Sequence, residues 1–591
     1  MSATGPTRTP SKLGILDLKT PQGIEAALEQ RHREIEAVLE QYHRDVAELR
    51  QRLNAFSLIN QRLPPELLAE IFVHYIAETS PSGLETYAPD ARPPDYKKPY
   101  EWVQITHICH FWRDVALLSP RLWNRILVTQ HTNVDCVREM LARSQQAPLF
   151  VSVDEEHHTN SDSVDFSLQA ILAELHRIRS LELSVSSATL FKHSVHIERP
   201  APLLRRFLLI DIDAQDEVVS RAPLPIATVH LERVILSGYE LTHIRHTLLP
   251  SIKHLTLLLP PQGFSLELLH SALGDMTLIE TLTLSLWDGP STHAVLGVVA
   301  FPYLERLQLI GASVVCAAFL RHTTFPATST TVIEGLDGAD FNSFVSAMAD
   351  KLNGDGVLGK PAPIKSLALT HPDGNSSAWT LQGWTMERPI ESLPKDRAPF
   401  QFSVTFNESC SVPHLVELFS SLPSSEVTSV YMGGPAMYLM ISDWFNSFKH
   451  MERLMFLKIS SMSVDGLPPA LMMQQDGQVI SQRATTSRKV NTLCKPMFPR
   501  LRLLVLHEVF FRELVGHDEE ILFFELLRKA LKRRMTRRLP LRQLIITSAI
   551  NFTASDASKL KSVVKALEWD GVETMIDDED SYDDESDLSM Y

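Results

Sequence analysis

LERVILSGYELTHIRHTLLPSIKHLTLLLP, residues 231–260, contains one hexapeptide pattern twice, as LERVIL at 231–236 and IKHLTL at 252–257. Apolar residues occupy positions one, four and six of each copy. A strand sends alternate side chains to opposite faces, so positions four and six point the same way and need covering. The pattern recurs as IRSLEL (178–183), LRRFLL (204–209), IETLTL (279–284), LERLQL (304–309), IKSLAL (364–369), LMFLKI (454–459), LRLLVL (501–506) and LRQLII (541–546). Over the first six copies the steps are 26, 27, 21, 27 and 25 residues.

That spacing lies in the leucine-rich-repeat range, in which each repeat buries its inner face only by stacking on its neighbours. VREMLARS followed by APLFVSV, ahead of the first copy, reads as the opening helix and strand. The gaps of 60 residues to Ile364 and 90 to Leu454 leave room for degenerate repeats. SSEVTSVYM (424–432) fits poorly there, PFQFSVTF (399–406) alternates like a strand, and DGQVISQRATTSRKVNT (476–492) reads as a polar loop. The expected fold is α/β, with an irregular solenoid of parallel strands plus helices over 130–570. Glu182, Lys458 and Val505, set between repeat leucines, mark its expected inner, ligand-facing side.

The chain has 591 residues, 44% of them apolar and 21% charged, enough to bury several cores. No apolar run approaches the ~20 residues of a membrane span, and MSATGPTRTPSKLG lacks the apolar stretch of a signal peptide. This reads as a cytoplasmic or nuclear protein without membrane contact. Cys109, Cys136, Cys316, Cys410 and Cys494 are scattered, so neither a disulfide framework nor a zinc site is indicated. Of the net charge of -15, eight acidic residues fall in DDEDSYDDESD (577–587), and 571–591 reads as a disordered acidic tail. RKALKRRMTRR (528–538) carries seven basic residues, but the apolar spacing just before it makes this a solvated helix face rather than a nucleic-acid site.

Residues 1–23 read as a disordered N-terminus and 24–60 as one amphipathic helix. Its stripe runs through Leu28, Ile35, Val38, Tyr42, Val46, Leu49, Leu53 and Phe56. The expected cover is the chain's own next module. Pairing as a coiled coil is the competitor, opposed by Arg31 and Asp45 near the seam and by a stutter after Tyr42.

A small helical module follows at 61–125. QRLPPELLAEIFVHYI (61–76) opens a helix with proline and puts Glu66 in its first turn, beside the positive end of the dipole. Leu67, Leu68, Ile71, Phe72 and Tyr75 form its apolar face. A Pro-rich insertion at 80–99 precedes WVQITHICHFWRDVALLSPRLW, where Val103, Ile105, Ile108, Cys109, Trp112, Val115 and Ala116 resume the pattern. So short a module cannot bury all this surface, which points to a partner protein.

No nucleophile elbow, HExxH helix or phosphate-binding loop occurs in the chain. His157 and His158 after three acidic residues form a polar cluster, but adjacent side chains seldom converge on a metal. No cofactor, metal or catalytic residue is therefore expected.

LPPELLAEIF, then ITHICHFWRDVALLSPRLW, resembles an F-box: a Leu-Pro-x-Glu-Leu-Leu entry, an Ile-Cys-x-x-Trp-Arg segment and Ser-Pro-x-Leu-Trp. The order helix, F-box, leucine-rich repeats is similar to the large F-box families of mushroom-forming fungi. The resemblance implies a non-catalytic substrate receptor, docked on a Skp-type adaptor and through it on the cullin of a RING-type ubiquitin ligase, with an unknown protein as substrate. Carried over by position, Leu63, Pro64, Glu66, Leu67, Ile71 and Phe72 lie at or beneath the adaptor contact. Val103, Ile105, Cys109, Trp112, Leu122 and Trp123 complete the core and the docking face. The insertion at 80–99 departs from the compact module, as either a surface loop of small entropic cost or an obstacle to the adaptor. The alternative is a leucine-rich-repeat and coiled-coil scaffold with no ligase role.

Overall fold

The computed structural model describes residues 20–79, 100–155, 162–213, 228, 230–261, 264–287, 297–370, 378–388, 401–407, 410–433, 439–460, 464–472, 497–512, 514–515 and 521–576. The insertion at 80–99, His157 and His158, the loop at 476–492, Cys494 and the acidic run from 577 lie outside the described residues. The chain divides into two compact units. One comprises residues 1–127 and 135–149, the other 128–134 and 150–591.

The first unit is mainly helical. Helix α1 is Pro21–Ala55, with Thr20 accepting the Gly23 N–H at 3.2 Å as its cap and proline in its first turn. It does not continue to 60. Ser57 takes up extended geometry and a short helix α2, Leu58–Arg62, begins anew. The break falls between Asn54 and Ser57, where the Asn60 side chain competes for a backbone carbonyl. The Asn54 carbonyl accepts both the Ser57 N–H at 3.1 Å and the Asn60 side-chain amide at 2.8 Å. Helix α3 is Pro65–Thr79 and helix α4 is His110–Leu117, with 3-10 turns at Glu101–His107 and Pro120–Leu122. No residue of α1 is buried, so the expected cover from the following module is not there.

The second unit is built on a large, mostly parallel sheet. Its strands are β1 Leu149–Asp154, β2 Ile178–Val185, β3 Arg206–Asp211, β4 Arg233–Ser237, β5 His254–Leu258, β6 Thr281–Leu286, β7 Arg306–Gly311, β8 Thr330–Leu336, β9 Ser366–Thr370, β10 Trp379–Trp384, β11 Phe402–Phe406, β12 Ser429–Gly433, β13 Phe456–Ser460, β14 Leu503–His507, β15 Gln543–Thr547 and β16 Leu567–Trp569. All ten hexapeptides supply strands of this one sheet. From β2 to β7 the partners are parallel and in register. The fourth positions, Leu181, Phe207, Val234, Leu255, Leu282 and Leu307, form one row. The sixth positions, Leu183, Leu209, Leu236, Leu257, Leu284 and Leu309, form the next, and both rows are buried. Burying each such side chain contributes roughly 1.5–3 kcal/mol, which sets the register.

The later half departs from a simple parallel array. After β8 the chain passes two strand positions to form β9, returns antiparallel as β10, and runs parallel again as β11 beside β8. β12 then pairs with the far side of β9, and β13, β14, β15 and β16 follow in parallel. One close approach in this block needs glycine: a Cβ on Gly383 would stand 2.1 Å from the Phe402 ring. Successive helices pack on one another, as Ser313–Arg321 does on Phe341–Asn353 and Val412–Ser421 on Ile441–Phe448. The described residues also run past 570, to Ile576. Asn551 exchanges two hydrogen bonds with the backbone of Ile576, at 2.9 and 3.1 Å.

Candidate docking surface

Helix α3 carries two apolar stripes offset by one residue. Leu68, Phe72 and Ile76 are buried at 1–2% exposure, whereas Leu67, Ile71 and Tyr75 are 56%, 52% and 40% exposed. Both sets are spaced by four, so each runs along the helix, and the two are separated by about 100° around it. What turns the first inward is the second half of the module. The Phe72 and Trp112 rings lie 5.1 Å apart at a tilt of 54°.

The core around that contact is held by directed bonds. Trp102 and Trp123 meet edge to face at 5.1 Å, the Trp123 indole donates to the Ala116 carbonyl at 2.8 Å, and the Arg143 guanidinium lies 4.4 Å above the Trp123 ring. The Trp112 indole donates to Asn60 Oδ1 at 2.9 Å. Cys109 is the N-cap of α4, its sulfur accepting the Trp112 N–H at 3.5 Å. The Tyr100 hydroxyl bonds the Leu127 carbonyl and accepts the Leu127 N–H at 3.1 Å, and burial raises its pKa well above the ordinary value.

Of the residues singled out from sequence, Phe72, Ile105, Leu122 and Trp123 are buried, while Leu63, Val103, Cys109 and Trp112 are half-buried. Pro64, Glu66, Leu67 and Ile71 are exposed. Pro65 is the first residue of α3, and Cys109, half-buried, caps α4. Sequence reasoning passed over Asn60, Tyr100, Trp102 and Arg143. Only Trp102, a third tryptophan within 22 residues of Trp123, gave a signal that could have been used. The unit also exposes Ile108 and Leu118, which flank α4, at 57% and 80%. The Glu70–Arg121 ion pair joins α3 to the Pro120–Leu122 turn.

The expected inner face of the sheet is partly corrected. Glu182 and Val505 are buried, while Lys458 is half-buried with its ammonium 5.1 Å from the Tyr431 ring. Third hexapeptide positions contribute to that face as well, beside half-buried fifth positions such as Thr256, Thr283 and Gln308. Arg206, Arg233, His254, Thr281 and Arg306 stand in register, with His254 Nδ1 3.0 Å from the Thr281 hydroxyl. Burial, then the neighbouring Arg233, lowers the His254 pKa. Second positions form cross-strand ion pairs, Arg205–Glu232 and Lys253–Glu280, each at 2.8 Å.

Among the described residues no three His, Cys, Asp or Glu side chains are grouped to hold a metal ion, and no helix is long and apolar enough to cross a membrane. No protein family matches the chain, and no curated protein does.

Proposed function

We propose that this protein is an F-box substrate receptor, whose helical unit docks on a Skp-type adaptor while the sheet unit captures a target protein for a cullin-RING ubiquitin ligase. The observation that carries the reading is the outward stripe Leu67, Ile71 and Tyr75 on a helix whose other stripe already forms the core. Three large apolar side chains in one line on a small unit fit a protein interface better than solvent. They lie on the helix that the Leu63-Pro64-Pro65-Glu66 entry opens.

In this role the chain acts as a tether. Holding a target beside a ubiquitin-loaded enzyme raises its local concentration and asks no catalytic group of the receptor. The target would meet the sheet face that carries Arg206, Arg233, His254 and Arg306, a chemistry suited to an acidic segment. Such a receptor works in the cytoplasm or nucleus, where the ligase resides. The test is co-purification of the full chain with a fungal Skp-type adaptor, beside a Leu67→Glu/Ile71→Glu variant. Both substitutions fall on exposed positions, so the variant folds. A complex formed by the wild type and lost in the variant is expected. Absence of a wild-type complex, or its survival in the variant, sinks the proposal and leaves the leucine-rich scaffold.

A further inference from the structure

The uncovered stripe of α1 has a register that its most apolar positions conceal. Counting Leu39 in place of Val38 gives Leu28, Ile35, Leu39, Tyr42, Val46, Leu49, Leu53 and Phe56, which alternate in steps of four and three from Ile35 onward. This is an unbroken heptad seam with no stutter, its a positions at His32, Leu39, Val46 and Leu53 and its d positions at Leu28, Ile35, Tyr42, Leu49 and Phe56. Val38 falls at a g position, on the flank. Between Leu28 and Phe56 the outward b, c and f positions are Gln30, Arg33, Glu34, Ala37, Glu40, Gln41, Arg44, Ala47, Glu48, Gln51, Asn54 and Ala55, polar apart from three alanines.

We propose that α1 pairs with α1 of a second copy of this chain as a parallel, in-register two-stranded coiled coil. The charges choose the occupant and its direction. In a parallel pair, a g residue of one helix meets the e residue five positions later on the other. Arg31 then faces Glu36 of the second copy and Asp45 faces Arg50 of the second copy, so both fully charged g-to-e contacts are attractive and each occurs twice by symmetry. Arg31 and Asp45 therefore support the pairing instead of interrupting it. Within one chain their partners are exposed neighbours on the same helix, Glu34 at 2.9 Å and Gln41 at 2.7 Å, contacts that cost little to exchange.

The area is sufficient as well. Seven of the eight seam side chains are at least 51% exposed, and covering roughly 100 Å² on each removes on the order of 800 Å² per chain, the size of a standard specific interface. This proposal does not depend on the adaptor reading: a scaffold would dimerise through the same helix.

The experiment uses the full chain at micromolar concentration and reads mass by light scattering behind size exclusion. The wild type should run at twice the 66.6 kDa of one chain. Leu49→Glu should run as a monomer with an unchanged circular dichroism spectrum, since Leu49 is 64% exposed in the monomer. Ala37→Glu, on the outer face, should remain dimeric. Direction is tested by charge reversal. Arg31→Glu/Asp45→Arg and Glu36→Arg/Arg50→Glu should each self-associate more weakly, on the order of tenfold or more, because four contacts turn repulsive. Mixed in equal amounts, the two variants should recover a dimer of wild-type strength. A monomeric wild type, a dimeric Leu49→Glu chain, or a mixture no tighter than its components each overturns the proposal.

Discussion

Two substitutions one residue apart on α3 should have opposite consequences. Phe72 is 2% exposed and its ring lies 5.1 Å from Trp112, so Phe72→Ala removes a buried aromatic and leaves a cavity between α3 and α4, at a cost of about 3–5 kcal/mol. Ile71 is 52% exposed, and Ile71→Ala removes atoms that are half in water already, costing about 1 kcal/mol or less. At 1.4 kcal/mol per tenfold, the first change raises the open population of the helical unit by between about 10²-fold and a few thousandfold, and the second by less than about tenfold. Hydrogen exchange by mass spectrometry on the full chain reads this directly from peptides within 65–79 and 100–123, without requiring two-state melting of a two-unit protein. Adaptor binding should respond the other way per unit of stability lost: Ile71→Ala weakens it while protection stays near wild type. Equal exchange in the two variants would refute the assignment of inner and outer stripes, and with it the argument that α3 has a face to spare.

Two further outcomes concern the sheet unit. Gly311 closes β7 at φ +139°, and a Cβ there would stand 1.8 Å from the Leu286 carbonyl oxygen, so Gly311→Ala should lower stability by at least about 2 kcal/mol, read as a fall in the urea midpoint. Lys351 is buried with its ammonium on the Thr323 and Gly356 carbonyls at 2.6 and 2.8 Å, and burial lowers its pKa from 10.5 to about 8 against the smaller opposing pull of Asp350 and Asp355. Between those two values the unfolded chain holds more protons than the folded one, so the contribution of Lys351 to stability rises with pH across that window. Lys351→Met should remove this rise, seen as a flatter pH dependence of the midpoint than in the wild type; identical slopes would show that the ammonium is not desolvated.

Much of the sheet is readable because its rule is local. A leucine at position four or six of a hexapeptide needs the same burial in every repeat, and the rows from Leu181 to Leu307 and from Leu183 to Leu309 obey it. Even the cross-strand ion pairs are visible in hindsight, since second positions run Arg205, Glu232, Lys253, Glu280. The block β9–β11 is not readable in this way. WTLQGW and FSVTF satisfy alternation in either direction, and nothing in a two-residue period says whether a strand runs parallel or antiparallel. Cys109 as a cap escapes for a different reason: sulfur is a weak acceptor, and only the geometry at Trp112 gives it that role.

The same contrast separates what the two outward stripes of the helical unit mean. On α3 the adjacent pairs Leu67/Leu68, Ile71/Phe72 and Tyr75/Ile76 are chemically equivalent in sequence, and it is the second half of the module, some forty residues on, that covers one member of each pair, with Trp112 on Phe72. The leftover face is therefore fixed by tertiary packing, and a substitution in the core can redirect it. On α1 no residue is buried, and the stripe is set by the heptad spacing. Changes in the core of the unit should then alter what α3 presents while leaving α1 untouched. Loss of adaptor binding together with retained self-association in Phe72→Ala is the combination that distinguishes two independent surfaces from one shared surface.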